Sequence, residues 1–132
     1  MKRKALTITL AAVMAMGTCA VTASAADGDK YTIGICQLVQ HEALDAATQG
    51  FKDEIVKELG EDAVTFDEQN AQGDSNTCST IINSFVSNNE DLILANATAS
   101  LQAAAAGTSD IPILGTAVTE YGVALDLKDF DG

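Results

Sequence analysis

The strongest constraint on what this chain can fold into is a repeated change of hydrophobic period, from short β-compatible runs to helical stripes and back. Tyr31 to Cys36 reads as a strand. From Glu42 onward, Leu44, Ala47, Phe51, Ile55 and Leu59 recur at three- and four-residue steps and make one helical stripe. Gly60 is placed to end that helix; Glu42 and Asp45 fall in its first turn and Lys52 and Lys57 in its later half, as the helix dipole favours. The alternation then repeats. Ala63 to Glu68 reads as a strand, Asp74 or Ser75 can cap a helix to about Val86, and Leu92 to Ala95 is a continuously apolar strand. Thr98 can cap the alanine-rich stretch Ala99 to Ala106, closed by Gly107, and Ile111 to Thr116 reads as a fourth strand with Pro112 tolerable near its start. Tyr121 to Leu127 fits either a short helix or a further strand, and the closing KDFDG reads as polar surface.

Strand and helix in strict alternation predict βαβ units: an α/β fold with an open parallel sheet and helices on both faces. Such a sheet takes ligands in the crevice beyond the carboxyl ends of its strands, so the residues just after each strand are the candidates for contact.

The first 25 residues stand apart. Lys2, Arg3 and Lys4 precede an apolar run from Ala5 to Val21, followed by Ala23-Ser24-Ala25, the pattern of a secretory signal peptide with an A-x-A cleavage site. Thr7, Thr9, Gly17 and Thr18 suit that run poorly to permanent membrane anchoring. Cys19 raises a lipid anchor as an alternative, but Thr18 stands where lipoprotein cleavage sites carry Gly, Ala or Ser, so loss of Cys19 with the leader is favoured. The expected location is therefore extracytoplasmic. Removing residues 1–25 leaves 26–132, enough for one small domain.

Cleavage also removes three of the seven basic residues and none of the 19 acidic ones, taking the formal charge from −12 to −15. Such a surface repels phosphate backbones and argues against nucleic-acid binding. Cys36 and Cys78 remain, in a compartment that permits a disulfide without requiring one. Cys78 shares a stripe with Ile81, Ile82 and Phe85, which favours a buried small hydrophobe. Two cysteines and one histidine without CxxC or HxxxH spacing argue against a zinc site.

The strand-end segments carry amides and hydroxyls. The first is Cys36-Gln37-Leu38-Val39-Gln40-His41, in which His41, at a helix start, reads more readily as a cap or surface residue than as a catalyst. The second is Gln69-Asn70-Ala71-Gln72-Gly73. The third, Asn96-Ala97-Thr98, sets an amide and a hydroxyl beside the free N–H groups of the alanine-rich helix, either to hold a carboxylate or ring heteroatom or simply to cap that helix. The fourth, Thr116-Ala117-Val118-Thr119, offers room and hydroxyls. Enzyme readings find little support: GxGxxG, GxxxxGK[ST] and GxSxG do not occur, and a single histidine leaves a nucleophile without an evident base. No cofactor and no metal are expected.

The segments YTIGICQLVQHEALDAATQGFKDEI, DEQNAQGD, LILANATASLQAAA and DIPILGTAVTEYGVAL, in that order, resemble the substrate-binding proteins of ABC transporters. The resemblance is to the type I periplasmic-binding-protein group that includes tryptophan- and tyrosine-type amino-acid binders. It implies a bilobal, non-enzymatic receptor, monomeric at full length, whose α/β lobes close over a small molecule and present it to a membrane permease. Residues 26–132 would be most of its N-terminal lobe, a truncated and incomplete form of the type I periplasmic-binding-protein lobe that lacks the second lobe. The positions implied to face the ligand are Gln37, His41, Asn70, Asn96, Thr98, Thr116 and Ala117. The competing expectation is a free-standing secreted α/β sensor or interaction domain without a transport role.

Overall fold

Five consecutive buried residues, from Ile33 to Gln37, mark the first strand as one covered on both faces, as a central strand of a parallel sheet must be. The computed structural model describes residues 28–130, and the leader read from residues 1–25 lies outside them. The elements run β1 (Tyr31–Gln37), α1 (Glu42–Leu59), a 3-10 turn (Glu61–Ala63), β2 (Val64–Asn70), α2 (Ser75–Asn88), β3 (Leu92–Asn96), α3 (Thr98–Gly107), β4 (Ile113–Thr116) and α4 (Tyr121–Ala124). All pairings are parallel and the strand order is β2-β1-β3-β4. The order reverses between β1 and β3, the switch point beside which ligands of doubly wound sheets sit.

The helices cover opposite faces. Phe51 and Ile55 of α1 pack on Ile33, Ile35 and Leu94. Across the sheet, Cys36, Ile93 and Ala95 meet Cys78, Ile81, Ile82 and Phe85 of α2 and Leu101 and Ala104 of α3. Two glycines permit the close approach on this second face. A Cβ on Gly34 would lie 2.6 Å from the Phe85 ring, and one on Gly107 would lie 2.6 Å from Ile82 Cγ2.

Boundaries shift where local hydrogen bonding overrides periodicity. Ala63 belongs to the 3-10 turn, and β2 runs on to Asn70 because every residue of β1 from Tyr31 to Gln37 has a partner in it. β4 begins only at Ile113, since Thr108 Oγ1 accepts the N–H groups of Asp110 and Ile111 and holds them in a turn. Gly60 (φ 90°) ends α1 as expected, its N–H donating to Val56 O. Tyr121–Ala124 is a single helical turn, with the Tyr121 hydroxyl donating to Gly115 O at 2.8 Å. No helix of the described residues is long and apolar enough to cross a membrane.

Candidate functional site

Register brings the four strand ends level. Asn70 pairs with Gln37, Gln37 with Asn96, and Asn96 with Thr116, so one row of amide, amide, amide and hydroxyl side chains closes the carboxyl edge of the sheet. The loops beyond it are tied to one another. Leu38 N donates to Asn96 O (3.2 Å), Ala71 N to Gln37 O (2.9 Å), Gly73 N to Leu38 O (2.7 Å) and Ala97 N to Thr116 O (2.9 Å).

Backbone strain gathers at the same edge. Gln72 (φ 52°), Ala97 (φ 95°) and Ala117 (φ 54°) each follow a strand end by one or two residues, and each holds a left-handed conformation that an L side chain resists. Ala97, with ψ 162°, lies in a region that is almost the preserve of glycine. Its conformation corrects the expectation that Thr98 caps α3: the cap position is Ala97, no side chain caps the helix, and Thr98 is already its first residue. The α3 N–H groups therefore face the edge without a side-chain acceptor.

The seven residues expected at the ligand divide into two groups. His41, Asn70 and Ala117 are exposed and Thr98 and Thr116 half-buried, all on the rim. His41 caps α1, its Nδ1 accepting from Ala43 N at 3.2 Å, and Asn70 Oδ1 accepts from Gln72 N at 2.8 Å. Gln40, Val39, Asn70 and Gln72 line an open depression of about 360 Å³ between the first two loops. Gln37 and Asn96 differ from the sequence expectation: they are 4% and 0% exposed, and their side chains turn under α1 rather than outward. Gln37 Nε2 donates to Asp45 Oδ1 (2.6 Å) and Val39 O (3.0 Å), and Asn96 Nδ2 donates to Leu44 O (2.8 Å) and Thr48 Oγ1 (2.9 Å). Thr48 Oγ1 in turn donates to Gln37 Oε1 at 2.7 Å. Asn96 Oδ1 is buried without a partner.

A family model described as ABC transporter substrate binding protein matches residues 32–129, a span that holds all four strand ends. The chain belongs to that family. It is 47% identical over 94 residues to the Tyrosine-binding protein of Clostridioides difficile (strain R20291), a match covering 67% of this chain and 26% of the relative. Among solved structures, the ligand-free, open form of a substrate binding protein with adhesive properties from Clostridium difficile is 44% identical, with a TM-score of 0.70 over 75% of this chain and 34% of that one. The ABC domain from Streptococcus pneumonia in complex with L-Trp is 32% identical, with a TM-score of 0.71 over 76% and 35%. The chain thus spans about a quarter to a third of the length of these relatives.

Thr48 was not foreseen from the sequence, although a signal for it exists. It sits four residues after Leu44 and three before Phe51, on the buried stripe itself, and a hydroxyl on such a stripe requires a buried partner. On the other face Cys36 and Cys78 are free, buried thiols. Cys36 Sγ donates to Ser100 Oγ at 3.6 Å, and Cys78 Sγ lies 3.7 Å from the same oxygen. Among the described residues no group of three or more His, Cys, Asp or Glu could hold a metal ion.

Proposed function

We propose that this chain is the N-terminal, ligand-binding lobe of an extracytoplasmic receptor that captures an amino acid for an ABC import system and hands it to a membrane permease, without catalysis. The observation that carries this reading is the level row of strand ends, with uncapped helix N–H groups and left-handed residues concentrated beside it in a substrate-binding protein. Relatives named for tyrosine and solved with L-Trp support an amino acid as the ligand. So does the chemistry of the rim. Asn70, Thr98, Thr116 and Ala117 carry no ionisable side chain, which suits a zwitterion held by hydrogen bonds. The α3 N-terminus can accept its carboxylate. The leader at residues 1–25 supports export, the location general to this family.

Thermal denaturation of the purified protein with L-tyrosine and with L-tryptophan is the test. Binding to the native state alone stabilises by about 2.7 kcal/mol at a hundredfold excess over Kd, so a ligand-dependent rise in Tm is expected. Asn70→Ala and Thr116→Ala reduce that rise. An unchanged Tm with amino acids, nucleosides and small acids alike overturns the reading.

A further inference from the structure

We infer that Thr48 is a positioning residue: through Gln37 and Asn96 it fixes the shape of the strand-end rim. This rests on the amino-acid receptor reading for its purpose, though not for its geometry. Thr48 is 3% exposed in the second turn of α1, and its hydroxyl both donates to the last residue of β1 and accepts from the last residue of β3. Those two residues hold the rim in turn. Gln37 Nε2 grips Val39 O within the first loop and Asp45 Oδ1 in the first turn of α1, while Gln37 O and Asn96 O accept the N–H groups of Ala71 and Leu38. Leu38 O receives Gly73 N and so carries the connection into the second loop. One hydroxyl therefore stands at the centre of a network reaching three of the four strand ends.

Stability alone does not account for this arrangement. The later half of α1 is seated by Phe51 and Ile55 on an apolar floor. The first half is seated on polar groups and leaves Asn96 Oδ1 buried and unpaired, which costs stability where an apolar contact would not. What a hydrogen-bonded seat adds is direction, because its geometry tolerates little sliding or rotation of α1 over the strand ends. His41, the α1 cap, and Gln40 ride on that placement.

Amide hydrogen exchange on the purified protein separates positioning from general support. Thr48→Val keeps the shape and removes the hydroxyl, Thr48→Ser restores it, and Ile55→Ala weakens the apolar half of α1 without touching the network. In T48V the amides of Leu38, Ala71 and Gly73 are expected to exchange at least about tenfold faster, the scale set by losing the two buried hydrogen bonds of the hydroxyl, while those of Ile93 and Leu94 keep their wild-type rates. T48S returns the rim amides to wild-type rates, and I55A accelerates rim and core alike. Uniform acceleration in T48V, or wild-type rim rates in it, overturns the inference. The same samples titrated with L-tyrosine address the receptor reading separately. Wild-type binding that T48V weakens and T48S restores supports both. A wild type that ignores L-tyrosine while the exchange pattern holds removes the ligand and leaves the positioning role standing.

Discussion

The two faces of the sheet are built on different principles. On the α2–α3 face, Phe85, Ile82, Cys36 and Cys78 are fully buried, and two glycines exist so that ring and methyl can press against backbone. On the α1 face, a helix with one buried residue, a threonine, lies over a floor that is apolar at one end and hydrogen-bonded at the other. Beyond α1 that face is open: Leu114 pairs with Leu94 and points the same way, yet is 48% exposed. One face supplies the bulk of the packing energy. The other sets where the α1 cap and its loop stand over the strand ends.

The largest contrast should appear in thiol chemistry. Burial, reinforced by the neighbouring Cys78 and only partly offset by the Ser100 hydroxyl, pushes the Cys36 thiol up to about 12. At pH 8 this lowers its thiolate fraction about a thousandfold relative to an ordinary cysteine near 8.5, before access is considered. Iodoacetamide should label Cys36 in denaturant and leave it unmodified in the native protein, whereas Leu114→Cys on the open face is alkylated at once. Native labelling of Cys36 would mean that the closed face opens readily. Next in size is packing. Phe85→Ala should cost about 3–5 kcal/mol in denaturant unfolding, and Leu114→Thr less than about 0.5 kcal/mol. Similar costs at the two positions would erase the distinction between the faces.

Much of this architecture is legible in the sequence because its elements alternate and each has one dominant period. The runs at Tyr31, Leu92 and Ile111 and the stripe from Leu44 to Leu59 need no tertiary knowledge to be recognised. What escapes is whatever depends on a partner from another element. Gln37 and Asn96 look like ligand groups because they end strands; only the seating of α1 makes them interior. Thr98 looks like a cap because hydroxyls commonly are caps, and the turn at Ala97 is invisible in a residue type that avoids such angles. The rim itself is legible as a location and not as a set of contacts.

Ala97 gives the next effect in size. A residue held in a sparsely populated backbone region costs of order 1–3 kcal/mol, and glycine removes that cost while losing about 0.5–1 kcal/mol to unfolded-chain entropy. Ala97→Gly should therefore raise stability by about 1 kcal/mol, read as a higher denaturation midpoint with an unchanged slope. A lower midpoint would show that the strain is not carried at this residue. The gain, confined to the strand-end rim, would locate stored strain where the ligand is proposed and not in the closed core.

The smallest effect lies at the opposite end of the sheet, in Glu90. It is 7% exposed, and its Oε2 has no partner. Burial holds its pKa above the usual carboxylate range, a bond with Thr32 partly offsets this, and the charges of Asp67 and Asp91 add to the rise. A carboxyl whose folded pKa exceeds its unfolded one, about 4.3 for glutamate, stabilises fully below that unfolded value and loses the contribution as pH rises through the folded one. Glu90→Gln has no proton to lose. Its Tm relative to wild type should therefore climb from pH 4 toward pH 7, in thermal scans at matched ionic strength. Paired measurements with Asp67→Asn should show a smaller climb, since one of the charges raising the Glu90 pKa is then gone. A difference between E90Q and wild type that stays flat with pH would mean that the carboxylate has found a partner or water, and that the amino end of the sheet is looser than its carboxyl edge.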